Sequence, residues 1–569
     1  MCGIFGCISQ HSQNLIDKTL QGLKILEYRG YDSAGITYHN AKTQTNTETK
    51  LTTIKSVGDI EQLISKVKNH PQTTVCIGHT RWATNGEVNI NNSHPHLSYN
   101  NEIAVVHNGI IENYSECCDL LKANDIKLKT PVDTEVIPNI LYLLHDNKHN
   151  IHKYLQGQYV FCATDIYSKN LFLAKKGNLP LYIGRDNDTI YITSDTLALP
   201  TSTNEIVALD DLDTCEIIDN QILFFKENQS IKKSWQPFNQ SFIASDKNGF
   251  STYMEKEINE IPDIMQRIIS SYSTDKTILQ QIQALRAQIK NSNCIHICGC
   301  GTSYHAALIL SKVFEKELQI RTIAHVSSEL NQTTLLNEKA LAIVISQSGE
   351  TADTLACMDI LQNQKIPIIA LCNITTSTIA KRSEITFPLL CGPEIAVAST
   401  KVFCAAILIG CLIIKNYTQK IHNEFIQNTR KTLQNARKIL HFPNTNDFSK
   451  IFIIGKGIAH ALALESALKI KEVSYIHCEG YPANELKHGP LSMVDTTTLA
   501  ITIGDNVSNT AAEIQARGGT VINLPIDNKN PLNFIGQIIP VQIFALDLAQ
   551  SKNINPDKPR NLAKSVTVL

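Results

Sequence analysis

Long apolar runs are missing from this 569-residue chain. The longest, Val402 to Ile414, is bounded by Lys401 and Lys415 and falls short of the roughly 20 residues that a bilayer span needs. It reads as a buried helix, and no membrane partner is expected. An excess of either charge is missing too: 52 basic side chains face 53 acidic ones, for a net charge of −1. No electrostatic footprint therefore points to nucleic acid. Sixteen cysteines are present, but none form CxxC pairs and no signal-peptide pattern precedes them. Several sit in apolar text such as Phe403-Cys404-Ala405-Ala406, which reads as reduced thiols in a cytoplasmic protein. Cys298-Gly299-Cys300 and His94-Pro95-His96 lack a partner cluster at metal-ligand spacing, so neither metal nor cofactor is expected. What remains is a multidomain enzyme composition, with 43% hydrophobic residues and length for about three to four domains.

Against that background Cys2 stands out. Removal of the initiator methionine would make its thiol the first side chain of the mature protein. A free α-amine titrates at about 7.7 to 8.0, so it can serve as the thiol's own base, directly or through one water. This arrangement suits amide hydrolysis. Further along, an Arg such as Arg81 can grip an α-carboxylate in a two-pronged pair, and an Asp such as Asp133 can bind an α-ammonium. The Asn108 amide beside the Gly109 N–H can hold an oxyanion. Taken singly each has a plainer reading: a surface ion pair for Arg81, a hairpin turn for Asn108-Gly109, a helix N-cap for Asp133.

Together the strings Cys2-Gly3-Ile4, Leu26-Glu27-Tyr28-Arg29-Gly30-Tyr31-Asp32-Ser33-Ala34-Gly35, Gly78-His79-Thr80-Arg81-Trp82-Ala83-Thr84 and His107-Asn108-Gly109-Ile110-Ile111-Glu112-Asn113 resemble the N-terminal-nucleophile amidotransferases, most closely the glutamine–fructose-6-phosphate aminotransferase (glucosamine-6-phosphate synthase) family. The resemblance implies an α/β chain that opens with a layered αββα glutaminase domain. It makes Cys2 the nucleophile, Asn108 and Gly109 the oxyanion site, Arg81, Thr84, His94 and Asp133 the glutamine contacts, and Trp82 the gate of an ammonia channel. One departure is visible: Asn85 stands where the family has histidine, in a loop that closes over glutamine.

Around Lys232 to Phe250 the hydrophobic periodicity lapses, marking a linker. Beyond it a helix is expected from Tyr253 to about Ile269, then strand, loop and helix units. Cys294 to Cys298 runs into Gly299-Cys300-Gly301-Thr302-Ser303 and a helix near Tyr304. Ala342 to Ile345 runs into Ser346-Gln347-Ser348-Gly349-Glu350-Thr351. Both fit doubly wound parallel sheets with ligand loops at the strands' carboxyl ends. Hydroxyls and amides at a helix start can hold a phosphate without any Lys or Arg, although one such loop is more often a simple cap. The second loop resembles the phosphosugar signature of the sugar isomerase (SIS) family, which implies Thr302, Ser303, Ser346, Gln347, Ser348, Thr351, Val397 and Ser399 as sugar-phosphate contacts.

A divergent copy begins at Ile451 to Gly457, implying duplicated lobes. Its helix puts Glu465, Lys469 and Glu472 on one face, which for an arbitrary helix would be a surface ion-pair ladder. The tail Lys558-Pro559-Arg560-Asn561-Leu562-Ala563-Lys564-Ser565 also matches the family. By resemblance Lys564 forms a Schiff base with the open-chain ketose, His488 opens the ring, Glu472 moves the proton from C1 to C2, and Lys469 supports that transfer. The expected division is a glutamine amidotransferase domain at 2–238, linker and lead-in helix at 239–280, SIS domains at 281–430 and 431–550, the second shortened, and a tail at 551–569 entering the sugar site. The implied substrates are L-glutamine and fructose 6-phosphate, with a homodimer as the assembly. A phosphosugar-binding regulator would need none of Cys2, Glu472 and Lys564, and a glutaminase with a non-catalytic sugar half would not need the tail.

Overall fold

The computed structural model describes residues 2–40, 50–68, 70–82, 87–168, 170–218, 220–238, 247–332, 339–440, 448–504, 507–526 and 530–566. The chain divides into two compact units, one formed by 1–245 with 565–569 and the other by 246–564.

In the first unit the alternation of the opening strand determines the layers. Gly3–Gln13 lies between Thr73–Arg81 and Thr189–Thr193, antiparallel to both, inside an eight-stranded sheet. Its even face sends Ile4 and Ile8 onto Val106, Val160 and Leu173 of a seven-stranded sheet. Its odd face sends Phe5 and Cys7 onto Leu15, Leu20 and Leu23 of the helix Leu15–Leu26. A strand's period of two makes this division obligatory, since a one-residue slip would exchange the faces. On the far side Val105, Phe161 and Phe172 pack on Leu121, Ile137, Ile140 and Leu141, from the helices Tyr114–Ala123 and Val136–Leu144. The result is the αββα stack.

The second unit holds two all-parallel sheets. One runs in the order Arg321–Val326, Cys294–Gly299, Ala340–Ser346, Ile368–Cys372, Ile385–Pro388. The other runs His477–Pro482, Lys450–Gly455, Thr498–Ile503, Thr520–Leu524. In both, the first strand of the lobe lies between its second and third, so the winding direction reverses there and a crevice opens beyond the carboxyl ends. The helix Lys401–Ile414 is buried along nearly its whole length, in a core shared with Ile458–Ser474 and Ile539–Ser551. A 19-residue stretch, Asn533–Ser551, is apolar enough for a span by composition, yet 72% of its apolar window is buried inside the fold. The expected division at residue 430 falls within the helix Gln419–Ile439.

Two expectations are corrected. The helix from Tyr253 to Ile269 is two helices, Tyr253–Asn259 and Ile261–Thr274, because Pro262 has no N–H to donate to the carbonyl of Ile258 and its ring crowds that oxygen. The helix expected near Tyr304 starts at Thr302, after Gly301 at φ +52°.

Candidate functional sites

In the first unit the strand ends converge. Cys2 is half-buried, and its Sγ accepts from the Trp82 N–H at 3.3 Å. The carboxamide of Asn108 donates through Nδ2 to the Cys2 carbonyl at 3.1 Å. Gly109 sits at φ +123°, and a Cβ there would lie 2.2 Å from the Gln158 carbonyl oxygen, so only glycine fits. The Asp133 carboxylate accepts from the Ile111 and Thr134 amides at 2.9 and 3.0 Å, which orients it at the start of a short 3₁₀ turn. Burial pulls the Arg81 guanidinium below its ordinary value, against the charges of Cys2, Asp32 and Asp133. Arg81, Cys2, Asn108 and Asp133 are thus gathered at one edge. Trp82 stands edge-on to Tyr31 at 5.4 Å. His94 is buried, with both ring nitrogens engaged internally, by the His107 N–H and by Thr134 Oγ1. Thr84 and Asn85 lie outside the described residues.

In the second unit both ligand loops follow the strands that flank the winding reversal, Cys294–Gly299 and Ala340–Ser346. Ser346 Oγ accepts from the Gly349 N–H at 2.9 Å and lies 3.4 Å from Thr351 Oγ1. Gly349 is at φ +68°, and a Cβ would strike Ser377 Oγ at 1.9 Å. The loop so shaped delivers Gln347, Ser348 and Thr351 to the start of the helix Ala352–Asn363. Thr302 and Ser303 open the helix Thr302–Leu318.

The carboxylate and lysine ladder is buried, contrary to its plainer reading. Lys469 Nζ reaches Glu472 at 2.6 Å and Glu465 at 3.5 Å, and the Lys469 and Glu465 side chains are 1% and 0% exposed. Burial would lower the ammonium's pKa, but Glu472 and Glu465 override it and hold it above its usual value. Partners from the first lobe complete the network: Thr302 Oγ1 donates to Glu465 and accepts from Lys469, and His305 Nδ1 lies 2.7 Å from Glu465. His488 is exposed on the turn Glu485–His488.

The Lys564 side chain is buried, with Nζ 2.6 Å from Glu394 and 2.8 Å from the Ala396 carbonyl. Ser399 Oγ donates to the same Glu394 oxygen at 2.8 Å, and the Val397 N–H donates to the Asp557 carbonyl of the tail at 3.1 Å. Glu394 and His305 were not singled out from sequence. For Glu394 the available signal is a lone carboxylate entering the apolar text Ile395-Ala396-Val397-Ala398. For His305 there is none, because its partner is 160 residues away. Among the described residues no His, Cys, Asp and Glu cluster suits a metal.

The folds and these gathered residues define a class: an amidotransferase of the N-terminal-nucleophile type joined to paired sugar isomerase lobes. Comparison with known proteins agrees. The glutamine amidotransferase domain model matches residues 79–201 and the SIS domain model matches 288–414 and 446–533. Over its full length, and over the full length of each relative, the chain is similar to glutamine–fructose-6-phosphate aminotransferases [isomerizing]. It is 35% identical to that of Caldanaerobacter subterraneus subsp. tengcongensis and 33% identical to that of Acinetobacter baylyi. Among solved structures, the C-terminal domain of glucosamine-fructose-6-phosphate aminotransferase from Francisella tularensis covers 55% of this chain and all of its own, with 27% identity and a TM-score of 0.48. The chain belongs to the glutamine–fructose-6-phosphate aminotransferase (isomerizing) family.

Proposed function

We propose that this chain transfers the amide nitrogen of L-glutamine to fructose 6-phosphate, releasing glutamate and glucosamine 6-phosphate. The observation that carries the reading is full-length similarity to enzymes of that name, at both ends of which this chain keeps the required side chains, Cys2 and Lys564. Arg81 and Asp133 hold the amino-acid end of glutamine, with Thr84 as a further contact and His94 supporting the wall from behind. The Cys2 thiolate attacks the side-chain amide, the oxyanion rests on Asn108 Nδ2 and the Gly109 N–H, and collapse breaks the C–N bond, releasing ammonia and leaving a thioester that water hydrolyses to glutamate and the free thiol. Trp82 gates the channel through which the ammonia leaves.

There Thr302, Ser303, Ser346, Gln347, Ser348 and Thr351 hold the phosphate at two helix N-termini, and Val397 and Ser399 line the sugar. His488 opens the ring. Lys564 forms an imine with C2, the carbonyl oxygen leaving as water, which requires the lysine to leave the ion pair with Glu394 and give up its proton. After ammonia replaces the lysine, Glu472 carries the proton from C1 to C2 while Lys469 balances the charge. A homodimer and a cytoplasmic setting belong to the same reading, as do the domain limits given above apart from that at 430, which falls inside a helix.

The test is incubation with amide-15N glutamine and fructose 6-phosphate. An amino sugar phosphate one mass unit heavier than with unlabelled glutamine is expected. Glutamate without amino sugar would leave only a glutaminase, and turnover of neither substrate would favour a binding regulator.

A further inference from the structure

His79 is buried in the strand Thr73–Arg81, and the mechanism above does not use it. Its Nε2 lies 2.9 Å from the His107 carbonyl oxygen and 3.0 Å from Asn108 Oδ1. A carbonyl can only accept, so Nε2 carries the proton and Nδ1 is bare, and Nδ1 has no partner. The same N–H then faces Asn108 Oδ1. At its other end Asn108 Nδ2 donates to the Cys2 carbonyl. Turning the amide over would set N–H against N–H at His79 and oxygen against oxygen at Cys2. Both contacts therefore select one orientation, with the NH₂ group on the Cys2 side.

A second set of imidazoles backs the first. His94 stacks on His79 at 4.0 Å. The His107 N–H donates to His94 Nδ1, which places the His94 proton on Nε2 beside Thr134 Oγ1, and Thr134 Oγ1 in turn lies 2.8 Å from His107 Nδ1. The closed ring ties the strand Ile103–Gly109, which carries Asn108, to the turn that carries Asp133. Burial pushes His79 down to about 3 and lowers His94 and His107 as well, so the stack stays neutral at working pH.

We propose that His79 is a positioning residue for the glutaminase reaction: its Nε2–H locks the Asn108 carboxamide so that Nδ2 points at the oxyanion. This rests on the reading of Asn108 as the oxyanion donor. Glutamine Nε2 reaches about as far from the backbone as histidine Nε2, whereas asparagine Nδ2 reaches only to the level of Nδ1.

Glutamate release is measured for His79→Asn, His79→Gln, Asn108→Ala and the double variant His79→Asn with Asn108→Ala. Losing one oxyanion donor costs about 10²- to 10³-fold in kcat. His79→Asn is expected to lose about 10²-fold in kcat with KM changed less than about threefold, and His79→Gln to recover most of it. The double variant should be no slower than Asn108→Ala, because both changes remove one effect. Equal rates for the Asn and Gln variants, or losses that multiply in the double variant, overturn the proposal. In the wild type, 15N-histidine spectra should show His79 protonated at Nε2 and bare at Nδ1 from pH 6 to 8; the reverse tautomer also overturns it. If Asn108→Ala is slow while His79→Asn is fast, only the proposal fails. If Asn108→Ala is itself fast, the oxyanion reading fails first.

Discussion

Removing the Glu394 carboxylate should loosen the tail at the point where its chemistry is proposed to occur. This side chain is fully buried and accepts four hydrogen bonds: from Lys564 Nζ at 2.6 Å, Ser399 Oγ at 2.8 Å, and the Thr400 and Val402 amides at 2.9 and 3.2 Å. Truncation to alanine strands a buried ammonium, for which about 3 to 5 kcal/mol is the usual cost. Lys564→Met leaves the carboxylate with three donors and removes one charged hydrogen bond, about 1.5 to 3 kcal/mol. The order Glu394→Ala worse than Lys564→Met is therefore expected, and the double variant should cost less than the sum because the partners touch. Hydrogen exchange of the Thr400 and Val402 amides reports it directly, and their protection should fall about 10²- to 10⁴-fold in Glu394→Ala. Burial alone would raise the carboxyl's pKa, but the adjacent Lys564 ammonium and the Thr400 amide override that and hold it below the usual 4.5. The contribution is thus present at neutral pH and is lost as pH falls below about 4.5 through the depressed folded value. A protection loss under tenfold, or a larger effect from Lys564→Met, would refute the reasoning.

Cys2→Ala should abolish glutamine-dependent synthesis while sugar binding persists, and intact mass should show a mature chain without Met1; glutamine turnover in that variant would sink the nucleophile assignment. Lys564→Arg keeps a charge that never deprotonates, so amino-sugar formation and borohydride trapping of fructose 6-phosphate on the tail should both disappear while glutaminase activity remains. An unaltered synthesis rate would contradict the imine. Glu257 is buried and accepts from the Ile395 and Ala396 amides, and burial with the Glu394 charge pushes its carboxyl up to about 8. A raised carboxyl stabilises below the unfolded value and loses that contribution as pH rises from about 4.5 through 8. Glu257→Gln should therefore gain stability relative to wild type between pH 5 and pH 9 in denaturant titrations, and an advantage that does not grow with pH would count against a protonated Glu257.

Much of this architecture is readable in one dimension because it depends on neighbours in the chain. The alternation of Ile4, Phe5, Cys7 and Ile8 assigns each to a face, and strands that end in glycine and hydroxyl residues announce their loops. The 3.6-residue repeat brings Glu465, Lys469 and Glu472 together whatever surrounds them. Pro262 was equally visible, and its missing N–H divides the helix that the apolar spacing alone made continuous.

The amino-acid sequence by itself determined which chemistries are available: a thiol near the start, hydroxyl loops at helix N-termini, a lysine near the end. Only the tertiary structure decided which of them are neighbours and which are dry. Whether the Glu465 ladder faces solvent depends on Thr302 and His305, more than 150 residues earlier, and spacing carries no information about that encounter. The same holds for Glu394, whose partner is 170 residues away, and for His79, whose proton is placed by a carbonyl on another sheet. His94, read from the chain as a glutamine contact, has both nitrogens turned inward. Local periodicity sets the direction a side chain leaves the backbone, but the low-dielectric contacts that fix its charge and partner come from segments folding back from far along the chain.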